Sequence, residues 1–228
     1  MRKIRIFQGG LSFSQILKRL MFLSVIVGFV FYVVHKNLHP HYVAQTIDSV
    51  QNFFTRYNER LSDFIDNNAD IRSLEQLQSF HLMPDCKTKP SKFNQNTEVC
   101  ALPLGEIDAS FQSTDDRLYS FVYVHFTDIY KENSCRQFLA NDWERKMAKI
   151  WFGEEGYIGV VSENTQGKIY FSLNRKWIRE DGAERNPTED HLRQVCKVCG
   201  KSRYCTIIFA FDVDKNQYRA IRRNAQKQ

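Results

Sequence analysis

The chain has 228 residues and a formal net charge of +6 at pH 7, a length that allows one membrane segment and one domain of ordinary size. Ten basic residues lie in residues 1–19 and 215–228, which contain no acid, so 22 basic and 26 acidic residues remain in residues 20–214. Because the body of the chain is mildly acidic, the pI near 9.0 is poor evidence for nucleic-acid binding by the domain as a whole.

The N-terminal stretch indicates a membrane segment. An uncharged apolar window covers residues 20–34, five basic residues precede it, and only Lys36 follows it closely. The positive-inside rule therefore predicts a cytoplasmic N-terminus and an exported body. The window is shorter than the roughly 20 residues that span a bilayer. Residues 11–34 are long enough if Lys18 and Arg19 extend their side chains to the lipid headgroups.

A cleaved secretory signal is the alternative to a retained anchor. The retained anchor is favoured because no A-x-A-like site follows the window and the helical pattern continues beyond Lys36. After position 42, nine apolar residues recur at spacings of three and four, which predicts one helix face docked on a globular body. They are Val43, Ile47, Val50, Phe53, Phe54, Tyr57, Leu61, Phe64 and Ile65. Asn67 and Asn68 are predicted to end this helix.

The residues after the long helix predict an α+β fold with an antiparallel sheet. Ser73 and Gln76 form a capping-box signature for a short helix, and the polar residues 84–103 predict a loop. Strands are predicted at 118–126, 157–161, 168–173 and 205–213. The last of these is the most apolar and is therefore expected at the centre of the sheet. A turn is predicted at 165–167, and helices at 134–147 and 188–196.

All six cysteines lie in the exported part, where an even number predicts disulfides, up to three of them. They are Cys86, Cys100, Cys135, Cys196, Cys199 and Cys205. As an alternative, the last four cysteines could be ligands to a zinc ion, but exported thiols usually oxidise. A redox-active Cys196-x-x-Cys199 would need a thioredoxin-like βαβ setting, which the sequence lacks. Neither a metal nor a cofactor is therefore predicted.

The remaining candidate groups do not indicate catalysis. His35 and His39 are one helical turn apart, near His41, but the motif lacks the Glu of H-E-x-x-H, so an interfacial helix face is favoured over a metal site. The isolated histidines are predicted to be structural or surface residues; they are His81, His125 and His191. No nucleophile elbow, phosphate loop or dinucleotide motif occurs, so neither a catalytic residue nor an enzyme is predicted.

The C-terminal run, residues 215–228, is basic and contains one aromatic residue, Tyr218. Such a run is more often a solvated tail than a binding element. Contact with a nucleic-acid backbone, which gains from counterion release, is the weaker alternative.

The order of these features resembles a known family. A short basic leader, residues 1–10, ends in glycine before an apolar helix, and a loop, an antiparallel sheet and a cysteine-closed region follow. The stretches FVYVHFTDIYKENSCRQFL and LRQVCKVCGKSRYCTIIFAF look like the two cysteine-bearing passages of type IVb pilins. Over nearly its whole length the chain thus resembles a type IV pilin or pilin-like protein. The resemblance implies cleavage after Gly10 by a prepilin peptidase, a methylated Leu11, and a disulfide from Cys135 to Cys196 or Cys199.

Two features depart from the pilin pattern. Pilins usually carry Glu at the fifth mature position, where it neutralises a neighbour's N-terminal amine, whereas this chain has Gln15, which can only hydrogen-bond. Lys18 and Arg19 also interrupt the apolar run. Both features suit a minor pilin or pseudopilin better than a major subunit.

The expected organisation is a leader (1–10), a membrane-embedded assembly helix (11–41) and an extracytoplasmic domain (42–228). The expected function is that of a minor structural subunit of a type IV pilus or related filament. Its partners would be other pilin subunits, the prepilin peptidase and the bacterial inner membrane. The alternative is a signal-anchored periplasmic scaffold or assembly factor that does not polymerise.

Overall fold

The structure is a computed structural model, and it describes residues 13–92, 97–141, 143, 156–162, 165–172, 177–178, 184–185 and 188–225. The chain divides into two compact units, Met1–Tyr42 and Val43–Gln228. The described elements are a long N-terminal helix, an antiparallel sheet and several shorter helices. The α+β class is consistent with the sequence prediction.

Helix α1 runs from Phe13 to Asp66 and includes Pro40. In the second unit, the nine apolar residues that recur at helical spacing are all buried, each at most 7% exposed. The predicted docking face is therefore confirmed. At about 1.5–3 kcal/mol for each fully buried large apolar side chain, this face is a major source of stability for the second unit.

Helix α1 ends at Asp66, directly before Asn67 and Asn68, as the sequence predicted. Asn68 has φ 48°, in the left-handed region that asparagine adopts more readily than most residues. The Ala69 N–H then donates to the Phe64 carbonyl at 3.0 Å, the six-to-one bond of a Schellman closure. Helix α2, Leu74–Ser79, follows, with the predicted capping box between Ser73 and Gln76 present in both directions.

The nine described strands form one antiparallel sheet in the order β1-β2-β3-β4-β9-β5-β6-β7-β8. They are β1 (Thr88–Pro90), β2 (Glu98–Leu102), β3 (Gly105–Ser113), β4 (Arg117–Phe126), β5 (Gly156–Ser162), β6 (Thr165–Ser172), β7 (Trp177–Ile178), β8 (Glu184–Arg185) and β9 (Cys205–Asp214). The apolar strand β9 lies between β4 and β5. Its central position was predicted.

Sequence reasoning missed the first three strands. Residues 84–103 were expected to form a loop, yet β1 and β2 both lie there, and β3 was not predicted at all. The polar residues of β1 occupy a sheet edge, where alternation of apolar residues is not required. Strand β3 has an acid or a serine at every second position from Glu106 to Ser110, which lowers its mean hydropathy without disturbing its buried face.

The predicted turn at 165–167 was wrong. Ser162 pairs with Thr165, so residues 165–167 already belong to β6 and the connection between β5 and β6 must precede them. Such short connections are typical of hairpins. The composition of Thr165-Gln166-Gly167 resembles a turn, but glycine is also tolerated within a strand.

Both helices predicted in the C-terminal half have different bounds. Helix α3 runs from Lys131 to Leu139, whereas residues 134–147 were predicted. Its end is set by the Trp143 indole, whose Nε1–H donates to the Phe138 carbonyl at 2.7 Å. Residues 144–147 lie outside the described part of the chain. Helix α4 runs from Glu189 to Gly200, four residues beyond the predicted end, with Thr188 as its N-cap.

The C-terminal run was expected to be a solvated tail, and this was wrong. Residues Lys215–Ala225 form helix α5 directly after β9. The Lys215 side chain is buried, and its Nζ donates to Asn68 Oδ1 and Ser113 Oγ at 2.6 Å each and to the Thr114 carbonyl. The Arg219 guanidinium donates to the Ile65 carbonyl at 3.2 Å. A basic composition alone does not show these oxygen acceptors, which converge only in the folded chain.

We expect Lys215→Met to destabilise the second unit by about 1–3 kcal/mol, because three hydrogen bonds from a buried, charged donor are lost. Urea unfolding of the full chain in detergent micelles measures the change. The matched control is Arg223→Met, an exposed residue of the same helix, for which we expect a change within about 0.5 kcal/mol. Equal effects of the two substitutions would contradict the buried role of Lys215.

Candidate functional site

The apolar half of α1 is the most unusual surface of the chain. Every described side chain from Ser14 to Val34 is exposed, and large apolar residues such as Phe22 and Val25 are each 68% exposed. Soluble proteins rarely expose a contiguous apolar surface of this kind. By length and composition, α1 is apolar enough to cross a membrane.

The structure describes some of the predicted site residues of this segment and not others. Gly10 and Leu11, the processing residues, lie outside the described residues. Gln15 is exposed on the first turn of α1, and Lys18 and Arg19 are exposed one turn later. His39 is buried whereas His41 is exposed, so these two histidines do not share one exposed face.

The expected disulfides are present. Cys135 of α3 pairs with Cys196 of α4, the first of the two pairings that the resemblance implied. Cys199 at the end of α4 pairs with Cys205 at the start of β9. Cys86 pairs with Cys100, which joins the segment before β1 to β2. All six cysteines are therefore bonded, including the four that zinc would need.

Two of these disulfides lie side by side in the core. The Sγ atoms of Cys135, Cys199 and Cys205 are all within 4.8 Å of one another. Because α3 buries few apolar residues of its own, the disulfide to α4 supplies a covalent link where packing is limited. This part of the second unit is a stapled layer of two helices on the central strand β9.

Sequence reasoning also missed a buried polar cluster around Glu106, whose side chain is 0% exposed. One Glu106 carboxylate oxygen accepts from Ser91 Oγ at 2.7 Å, and the other lies 3.4 Å from Lys89 Nζ. Its cross-strand partner is His125. A carboxylate with these partners is satisfied within the protein. Because it is fully buried, it ties the edge strand β1 to β3 and does not meet a substrate.

His125 is the titratable group of this cluster. Burial is the main cause that lowers its pKa to about 4, opposed by Glu106 and supported by Lys89. The ring lies 2.7 Å from Thr206 Oγ1 through Nδ1 and is parallel to the ring of Tyr123. His125 was predicted to be a structural or a surface residue, and these contacts agree with the structural role. The alternation of FVYVHF was the available signal that His125 faces away from Val124 and Phe126.

The second unit has two clefts large enough for a small ligand. The larger, about 350 Å³, lies between α3 and α4 and includes Lys131, Glu132, Arg136 and Arg193. The smaller, about 160 Å³, lies beside the Cys86–Cys100 disulfide. Neither lining contains a histidine or a free thiol, the commonest nucleophile and base components.

Comparisons of the chain with protein-family models, curated proteins and solved structures found no match.

Replacing His125 by glutamine should flatten the pH dependence of stability. The folded-state pKa of His125 lies below the ordinary 6.5. Between these two pKa values the imidazole is protonated in the unfolded chain and neutral in the folded chain. Stability therefore falls as pH drops from 6.5 towards 4. The loss is at most about 3 kcal/mol. Urea unfolding between pH 4 and 7 measures it for both chains. Asp108, whose pKa is raised mainly by burial, opposes the trend equally in both, and parallel profiles would contradict the prediction.

The two neighbouring disulfides should differ in their contribution to stability. Cys135 and Cys196 are 61 residues apart and Cys199 and Cys205 only 6. The loop-entropy relation predicts losses of about 4 and about 2 kcal/mol when each pair is replaced by serines. The variant that replaces Cys199 and Cys205 by serines is the control, because it also buries two serines in the same part of the core. Equal losses in urea unfolding would show that loop closure does not set the difference.

Proposed function

We propose that the chain is a minor structural subunit of a type IV pilus or a related pilin-like filament. The observation that carries the proposal is the division of α1 into two kinds of surface. Residues 14–34 expose apolar side chains throughout, whereas residues 43–65 bury one face within a disulfide-stapled α+β unit. A filament subunit needs both surfaces. Its apolar helix must move from lipid into contact with the helices of neighbouring subunits, and its compact domain must remain folded on the outside of the filament.

The proposed mechanism is assembly without a catalytic step. The apolar half of α1 first anchors the subunit in the bacterial inner membrane, with the N-terminus in the cytoplasm. The segment then leaves the lipid and packs against helices of other subunits. One apolar environment is exchanged for another, so this surface is kept from water throughout. Van der Waals packing between helices supplies the association energy, as it does between helices in a bilayer.

The disulfides support export of the second unit. All six cysteines are bonded, which is typical of proteins that mature in an oxidising compartment such as the bacterial periplasm. Their positions also fit a filament subunit, because a stapled α3–α4 layer withstands local unfolding when a subunit is under load. In this proposal the domain 42–228 is periplasmic before assembly and exposed on the cell surface afterwards.

A second candidate is a signal-anchored periplasmic scaffold or assembly factor that never polymerises. Lys18 and Arg19 favour it, because they confine the uncharged apolar segment to residues 20–34, as in an ordinary anchor with a cytoplasmic tail. The two candidates differ in processing. Only the filament subunit requires that residues 1–10 be removed by a prepilin peptidase.

The N-terminus of the protein in membranes separates the two candidates. We expect intact mass and N-terminal sequencing to show a chain that begins at Leu11, and Gly10→Val to leave the chain beginning at Met1. Gly9→Ala changes the adjacent glycine and is the matched control, for which normal processing is expected. A wild-type chain that begins at Met1 in cells containing the peptidase would refute the filament proposal and leave the anchored scaffold.

A further inference from the structure

The exposed half of α1 carries two positive charges and lacks any negative charge to pair with them. Lys18 and Arg19 are both exposed on the helix. The first acidic residue of the entire chain is Asp48. A cation that enters an apolar helix–helix contact without a partner carries a desolvation cost that no interaction offsets. A carboxylate on the helix that packs against this segment offsets that cost.

Helix α1 of a second copy cannot supply it while the two apolar segments remain in contact. The segment from Leu20 to Val34 is about 22 Å long at the α-helical rise, and Asp48 lies about 44 Å along the helix from Arg19. A shift of one copy by about 44 Å would bring an acid to the cations, but it would move the two apolar segments entirely past each other. Without such a shift, parallel copies bring Lys18 and Arg19 close to their own equivalents.

We infer that the apolar half of α1 packs in a heterotypic contact, against an apolar helix of a different chain that carries an aspartate or glutamate within its apolar segment. This deepens the proposed function and rests on it, because it specifies which subunits can be neighbours. Charge complementarity at Lys18 and Arg19 selects the partner and disfavours a filament made of this chain alone. The subunit therefore occupies positions flanked by acid-bearing helices.

The test measures how tightly copies of the full chain associate with one another. Donor-labelled and acceptor-labelled copies are reconstituted in phosphatidylcholine liposomes, and association is measured by energy transfer in defined pairs. The charge-reversed copy is Lys18→Glu with Arg19→Glu. We expect wild type to associate with the charge-reversed copy about tenfold more tightly than with itself, and the charge-reversed copy to self-associate equally weakly.

The matched control is Lys18→Gln with Arg19→Gln, which removes repulsion without adding attraction. Its self-association should lie between the mixed pair and the wild-type pair, and this comparison remains valid if the charge-reversed chain fails to insert. Wild-type self-association as strong as the mixed pair, or no gain in the glutamine pair, would overturn the inference and assign both cations to lipid headgroups. Processing at Gly10 is measured separately, so failure here is distinct from failure of the filament proposal.

Discussion

The second unit depends on one contact, between the buried face of α1 and the centre of the sheet. The Tyr57 ring lies 5.0 Å from Phe111 on β3 and 5.4 Å from Phe211 on β9, and its hydroxyl is 2.7 Å from Ser120 Oγ on β4. Phe54 lies 5.0 Å from Phe209. An antiparallel sheet packed on one face needs such a helix to exclude water from that face. Aromatic residues bury large areas and favour these tilted and stacked geometries, so few positions define the helix's placement.

Bonds at the margins of the unit hold elements that this core does not reach. The short edge strand β1 has too few residues to bury an apolar face, and the Glu106 cluster with the Cys86–Cys100 disulfide ties its surroundings to the sheet. Helices α3 and α4 are joined by the Cys135–Cys196 disulfide. Helix α5 is held by Lys215, whose acceptors come from the end of α1 and from the β3–β4 connection. Packing defines the centre, and covalent or charge-assisted bonds define the periphery.

The first unit follows a different rule. Its described apolar side chains from Ser14 to Val34 are exposed. In the proposed filament they pack in lipid or against another helix, and the charges at one end favour a helix that carries an acid. Because the chain has no acid before Asp48, the charged side chains of residues 1–47 are all basic. In the proposed function, the cations that orient the segment in a membrane also restrict its neighbours in the filament. Anchoring and partner choice are two consequences of one charge distribution.

The sequence by itself determined the features that follow from local periodicity and chemistry. The buried stripe of α1, its closure at Asn67 and Asn68, the capping box of α2 and the central strand β9 were all predictable, because each depends on neighbours a few residues apart. Tertiary structure alone decided the rest. Strands β1 and β3 form because they pair with neighbouring strands, which their own polar sequences do not indicate. The start of β6 at Thr165 follows from its pairing with Ser162 of β5. From the sequence, helix α5 resembles a basic tail. Only the folded chain brings Asn68, Ser113 and Thr114 around Lys215. These acceptors make burial of the lysine favourable, and they lie as many as 147 residues away in the sequence.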